Sequence, residues 1–249
     1  MLFQYYKHRN CTMIIAIINA CTRVELMSDS NTYFAILLIG AWFVQMGAHE
    51  GAHAYVAHRC GDDTAYLLGK RSFNPINHIE WNNMNSIFMS VVLPCVTAFS
   101  MIPIGMAWVP VNPRRLKNVG RDMALISFAG PLANIVVTLV CCVGHFALSP
   151  IGATMQSTGL VKMVWLVDEF FWAIGYTSVI YGMFNLVPIP PLDGSKVLRF
   201  FLPQEGKDIL DNIAPYGMML ILVLFWVGNA GAIFRIPLYY LAVLWASIG

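Results

Sequence analysis

The stretch "MGAHEGAHAYVAHRC", residues 46–60, sets three histidines and a glutamate inside an otherwise apolar run. That run begins near Asn31 and meets no formally charged residue before Glu50. Ionisable groups at membrane depth are costly, so they mark function. The spacing over 49–53 is H-E-x-x-H. On a helix, positions four apart share a face. His49 and His53 can therefore hold one Zn²⁺ between them, and Glu50 can reach a water on the metal as general base. Catalytic zinc takes three protein ligands and keeps one open position. A third ligand must come from elsewhere in the chain. The alternative, satisfied polar groups packing a bundle, suits a lone histidine better than three ionisable groups in five residues. Gly47 and Gly51 form a GxxxG pattern, with Gly40 on the same helix. Small residues of this kind let a neighbouring helix approach closely.

The surrounding composition agrees with a membrane setting. The 249 residues are 58% hydrophobic and only 11% charged, where a soluble chain is about one quarter charged. The mean hydropathy is +0.64. A net charge of +2, scattered along the chain, gives no reason to expect nucleic acid as a partner. The six cysteines include no CxxC pair, so neither a disulfide framework nor a zinc ribbon is expected. Lys7 and Arg9 precede an apolar stretch from Cys11 to Cys21 that resembles a signal core, but Arg23 and Glu25 follow where a cleavage site would stand. The stretch is short for a full span, which needs roughly 20 residues. It reads as a short or interfacial membrane segment.

Long apolar stretches cover 32–58, 84–109, 122–148, 160–187 and 214–248. The last is long enough for two short helices, broken near Gly228 to Pro237. Polar connectors fill 59–83, 110–121 and 188–213. The expected fold is an all-α polytopic membrane protein with a bundle of about five to six transmembrane helices. Residues 1–31 form an N-terminal segment, 32–211 the core, and 212–249 the C-terminal apolar helices. Connector 59–83, rich in Gly, Asn and Pro, is expected to hold turns or a small β-hairpin. Neither repeats nor a separate soluble domain are seen, so any regulatory protein would be another chain. Arg114, Arg115, Lys117 and Arg121 carry no acid among them, which places 110–121 in the cytoplasm. Run 122–148 then crosses outward and 160–187 crosses back. Connector 188–213, with Lys196, Arg199 and Lys207, returns to the same side.

The third ligand is sought in "FNLVPIPPLDGSKVL", residues 184–198. Asp193 follows three prolines and precedes Gly194. An aspartate before glycine is common in turns. Pro188, Pro190 and Pro191 break the helix at its membrane end, however. Broken backbone at that depth is tolerated only where protein or water lines it. The residues alone leave Asp193 open between turn former and site residue.

Five pieces, "HEGAH", "LGKRSFNPINHIEW", "VPVNPRRL", "AGPLAN" and "FNLVPIPPLDG", occur in one order over roughly residues 40–200. In this the chain resembles the site-2 protease family of intramembrane zinc metalloproteases. The resemblance implies His49, His53 and Asp193 as ligands of one Zn²⁺ and Glu50 as catalytic base. It implies a membrane-spanning protein as substrate, and it places Asn134 of "AGPLAN" near the bound peptide. An interhelical hydrogen bond is the other reading of Asn134. The glycine inside "HEGAH" stands where a bulky apolar residue is usual, "HIEW" replaces the usual acidic–proline pair, and Trp108 holds a position often basic. These departures bear on substrate preference rather than activity. His58, His78 and His145 match no ligand position. The compact form suggests a bacterial inner membrane.

One span at 84–109 would put His49 and His53 near the face opposite Asp193. Zinc bonds are about 2 Å long, so the ligands cannot be that far apart. Pro94 and Pro103 interrupt the run, and it is expected to be re-entrant, dipping in and returning to the cytoplasmic side. The histidines then lie roughly 10 Å below that face. The substrate helix must unwind locally, and an extended segment could pair with an exposed strand edge. Two rival functions remain. An ion-coupled transporter would use His49, Glu50 and Asp193 as a relay, but repeats that would favour it are missing. An inactive scaffold that binds membrane helices would not need an intact base and ligand set.

Overall fold

The computed structural model describes residues 30–154, 158–227 and 231–248. The segment read from Cys11 to Cys21 lies outside them. Helix α1, Ser30–Arg59, runs unbroken through the H-E-x-x-H motif. A short helix α2, Thr64–Leu67, follows. Helices α3, Met84–Ile87, and α4, Leu93–Thr97, are short pieces of one apolar rod. Helices α5, Val119–Thr154, and α6, Thr158–Leu186, are long. Then come α7, Asp193–Phe201, α8, Gln204–Ile213, α9, Gly217–Val227, and α10, Gly231–Ile248. Among the described residues, three stretches are long and apolar enough to cross a membrane: Asn31–Arg59, Val119–Ser149 and Gly159–Leu186. The last apolar stretch does form two helices. Of the break expected near Gly228 to Pro237, residues 228–230 lie outside the described residues, and Pro237 lies inside α10.

Helices α1, α5 and α6 pack on one another. Leu38 and Ala41 of α1 meet Cys141 of α5 and Ala173 and Ile174 of α6 in the core. In lipid such packing rests on close van der Waals fit rather than on exclusion of water. Gly40 follows the expectation: a Cβ there would stand 3.0 Å from Phe170 of α6. Gly47 and Gly51 do not. A Cβ at Gly47 would lie 2.3 Å from the carbonyl oxygen of Phe73, and one at Gly51 2.7 Å from that of Ser72. What crosses α1 there is the backbone of connector 59–83, not a neighbouring helix.

That connector holds turns rather than a β-hairpin, and no strand occurs among the described residues. Its polar side chains satisfy backbone donors locally, which removes the need for a ladder partner. Asp62 Oδ1 accepts from Thr64 N–H at 3.0 Å, and Asn74 Oδ1 from Ile76 N–H at 3.1 Å. Asn83 Oδ1 accepts from Asn85 N–H at 3.0 Å.

The apolar run after it turns back on itself. The rod from Met84 to Ser100 includes one π-helical turn, Phe88–Val92. Pro94 offers no N–H to the carbonyl four residues back. That carbonyl, on Ser90, accepts the Trp42 indole N–H at 2.9 Å instead, which ties the rod to α1. The chain reverses at Met101, the one non-glycine residue of positive φ (67°) among those described. It then returns extended alongside the rod. Ile104 N–H donates to Thr97 Oγ1 at 2.6 Å and Met106 N–H to the Met89 carbonyl at 3.0 Å.

Candidate metal centre

Asp193 opens α7, on the far side of a proline-rich turn from the end of α6. The turn swings it beneath α1. Its Oδ2 lies 3.3 Å from His49 Nε2 and 3.1 Å from His53 Nε2. Ligands held ~2.0–2.1 Å from a tetrahedral zinc stand roughly 3.3 Å apart. Two imidazole nitrogens and a carboxylate oxygen are also a donor set that zinc accepts. The three residues therefore fit a single zinc. They are buried and, among the described residues, form the one group of His, Cys, Asp and Glu close enough to share an ion.

Neighbours orient each donor. His53 Nδ1 lies 2.6 Å from the Ile126 carbonyl, and His49 Nδ1 lies 3.2 Å from the Asn134 amide. Lys196 Nζ donates to Asp193 Oδ1 at 3.2 Å, which leaves Oδ2 turned to the imidazoles. Burial would raise the Asp193 carboxyl, but its hydrogen bonds to His49 and His53 outweigh that and hold it far below the ordinary carboxylate range. Gly130 of α5 stands against both rings. A Cβ there would lie 2.4 Å from His53 Nε2 and 2.5 Å from His49 Nε2. A bare backbone at this point keeps the space beside the donor atoms open.

A cavity of about 570 Å³ opens on the centre. His49, Glu50, His53 and Asp193 all line it, so the glutamate and the three donors face one space. The extended return from Gly105 to Val109, with Trp108, forms another part of the wall. Asn134 is fully buried and is not part of the wall. Two wall residues were not foreseen as site residues. Gln45 is buried one turn before His49, and its Oε1 has no hydrogen-bond partner. Its signal was the same-face spacing 45, 49, 53. Lys196 informs topology in the sequence, yet here it also fixes the Asp193 carboxylate. His58, His78 and His145 lie elsewhere, bonded to Asp63, the Ser72 carbonyl and Asp168 respectively.

Comparison with known proteins agrees with this geometry. Residues 33–228 match Peptidase family M50. The chain is 31% identical over 199 residues to YwhC of Bacillus subtilis (strain 168), provisionally named a zinc metalloprotease, covering 78% of this chain and 80% of that one. It is 27% identical over 194 residues to Rip2 of Mycolicibacterium smegmatis, covering 76% of this chain and 66% of the relative. Rip2 of Mycobacterium tuberculosis (strain H37Rv) is 26% identical over 208 residues, covering 83% and 73%. Both Rip2 proteins carry the same provisional name. No solved structure matches the chain. The chain belongs to peptidase family M50, the site-2 protease family of zinc metalloproteases.

Proposed function

We propose that the chain hydrolyses peptide bonds in membrane-spanning protein segments, with His49, His53 and Asp193 as zinc ligands and Glu50 as the base. The observation that carries this reading is the convergence of three donors at 3.1 and 3.3 Å on a cavity that Glu50 also lines. When bound, zinc supplies Lewis acidity toward the scissile carbonyl and the attacking water. Glu50 accepts the water's proton and returns it to the leaving amine. His49, His53 and Asp193 hold the metal, and Lys196 keeps one oxygen of Asp193 directed to it. A helical peptide bond is shielded by its own turn, so the substrate unwinds before it is cut. The extended return at Gly105–Val109 offers such a segment a backbone wall beside the metal centre.

The same reading sets the topology. Residues 84–109 form a re-entrant hairpin, and connectors 59–83 and 110–121 share the cytoplasmic side. The reversal at Met101 and the bond between Asp62 and Asn112 support this. Helices α9 and α10 follow the three long ones as an apolar C-terminal pair, with α10 packed on α5 and α6. Residues 32–211 then make up the catalytic core and 212–249 a C-terminal pair, with 1–31 as a separate segment. The bacterial relatives support an inner-membrane location. Substrate and any separate regulatory protein meet the core within the lipid bilayer.

The test uses protein purified in detergent. Metal analysis is expected to find about one zinc per chain. Incubation with membrane-spanning segments is expected to yield fragments with wild type and none with Glu50→Gln. Wild type that holds zinc and cleaves no segment would sink the reading.

A further inference from the structure

Each site histidine has a second ring nitrogen, and what it bonds decides whether the first can bind metal. His53 Nδ1 faces the Ile126 carbonyl at 2.6 Å. A carbonyl only accepts, so this Nδ1 carries the hydrogen and Nε2 keeps its lone pair. His49 Nδ1 faces the Asn134 amide instead, with Nδ2 at 3.2 Å. In that orientation Nδ2 donates, Nδ1 accepts, and the ring hydrogen sits on Nε2, where it blocks a metal. The Oδ1 of the same amide is buried with no hydrogen-bond partner. A half-turn of the amide exchanges Oδ1 and Nδ2 with almost no change of shape. Oδ1 then accepts from His49 Nδ1–H, and Nε2 is left bare.

We propose that Asn134 is the positioning residue of His49: in the metal-loaded protein its Oδ1 accepts from Nδ1–H and so fixes the ring in the tautomer that presents Nε2. This rests on the zinc site proposed above. The competing role, contact with the bound peptide, needs Asn134 on the cavity wall. Asn134 is fully buried, is not part of that wall, and lies within reach of the ring. Helix α6 closes on it from another side, where a Cβ at Gly182 would stand 3.2 Å from Asn134 Cβ. The amide is thus enclosed, and turning it over exchanges two atoms of nearly equal size in place. The two histidines are thus oriented by different means. A backbone carbonyl of α5 serves His53, and a side chain two turns further along α5 serves His49.

Asn134→Asp and Asn134→Leu separate the roles. The carboxylate keeps the acceptor, whereas leucine keeps the shape and loses the bond. Zinc affinity is read by competition with a chelator, and KM and kcat are read at saturating zinc. The leucine variant is expected to lose roughly 10–100-fold in zinc affinity with KM unchanged. The aspartate variant is expected to stay within a few-fold of wild type. Unchanged zinc affinity in the leucine variant, with a raised KM, would overturn the inference in favour of peptide contact. Should the leucine variant fail to fold, ¹⁵N spectra of the histidines in zinc-loaded wild type still decide. They are expected to show hydrogen on Nδ1 of both site rings, and hydrogen on Nε2 of His49 would overturn the inference. Wild type that takes up no zinc would overturn the site itself; zinc-holding wild type beside an unaffected leucine variant overturns the role of Asn134 alone.

Discussion

Asp62 Oδ2 accepts the Asn112 backbone N–H at 2.6 Å and so fastens connector 59–83 to connector 110–121. Its other oxygen takes the Thr64 N–H at 3.0 Å and the Thr64 hydroxyl at 2.5 Å. Beneath this junction Ala57 of α1, Leu116 of connector 110–121 and Ile126 of α5 form a small apolar cluster. One buried carboxylate thereby holds the end of α1 against the start of α5, and these helices carry both histidines and the groups that orient them.

Removal of that carboxylate should loosen the junction. Asp62→Ala is expected to destabilise the protein by about 2–3 kcal/mol, because three donors lose a charged acceptor in a buried place. Burial would raise the Asp62 carboxyl, but the bonds from Thr64 and Asn112, with the nearby Arg115 charge, outweigh it and hold it below the ordinary value. A group with a depressed folded pKa stabilises above its unfolded pKa, and that contribution is lost as pH falls through the folded value. Wild type should therefore lose thermal stability on acidification more steeply than Asp62→Asn. Unfolding in detergent, followed from neutral pH down through the carboxylate range, measures the difference. Equal slopes would mean that Asp62 has no such role.

The placement of both connectors on one side has its own test. Cysteines at positions 63 and 117, introduced singly in a cysteine-free background, should both resist an impermeant thiol reagent in intact cells. Both should react once the membrane is opened. Reaction at position 63 alone from outside would make 84–109 a true crossing and detach Asp193 from the proposed zinc.

His49→Ala and His53→Ala should each lose nearly all bound zinc. Glu50→Gln should keep it, since the amide is nearly isosteric and ligates nothing. Its cleavage rate should fall by roughly 10²–10⁴-fold, the usual worth of a positioned base. Metal content and fragment yield, measured on the same preparations, separate the two behaviours. A Glu50→Gln variant that cleaves at the wild-type rate would remove Glu50 from the mechanism.

Gly130→Ala opposes two effects. Alanine is the better helix former by about 1 kcal/mol, yet its Cβ would press on both donor nitrogens. The zinc-free variant is expected to melt no lower than zinc-free wild type while zinc affinity falls at least tenfold. Undiminished affinity would show that the rings can give way without loss.

Much of the centre was legible because its chemistry is local. The i, i+4 spacing of His49 and His53 is a property of one short stretch, whereas the prolines before Asp193 left it open between turn former and site residue. The reversal within 84–109 rested on the need for Asp193 to share a depth with the two histidines. The turns of 59–83 were legible only as turns. Asn, Gly and Pro mark a change of direction, but hairpin loops and capped 3₁₀ turns use the same residues. What decided between them was whether Asn74 and Asp62 would bond their own backbone. The partnership of Asp62 with Asn112 spans 50 positions and leaves no local trace. Gly47 and Gly51 misled for a related reason. Their spacing announces a close approach to α1 but not what approaches. Gln45 was readable from its spacing with His49, yet a single neutral amide draws less notice than a charge.

The crossing of connector backbone over Gly47 and Gly51 acts as a yoke on α1. The helix cannot turn about its axis or slide by a residue without lifting the segment that passes over it. That segment runs on through Glu80, paired back to Lys70 at 2.8 Å, into the hairpin that walls the cavity. The helix that carries both histidines and the cavity wall are therefore geared together: bulk added at either glycine would disturb the bearing of the histidines and the width of the cleft at once, although it touches neither.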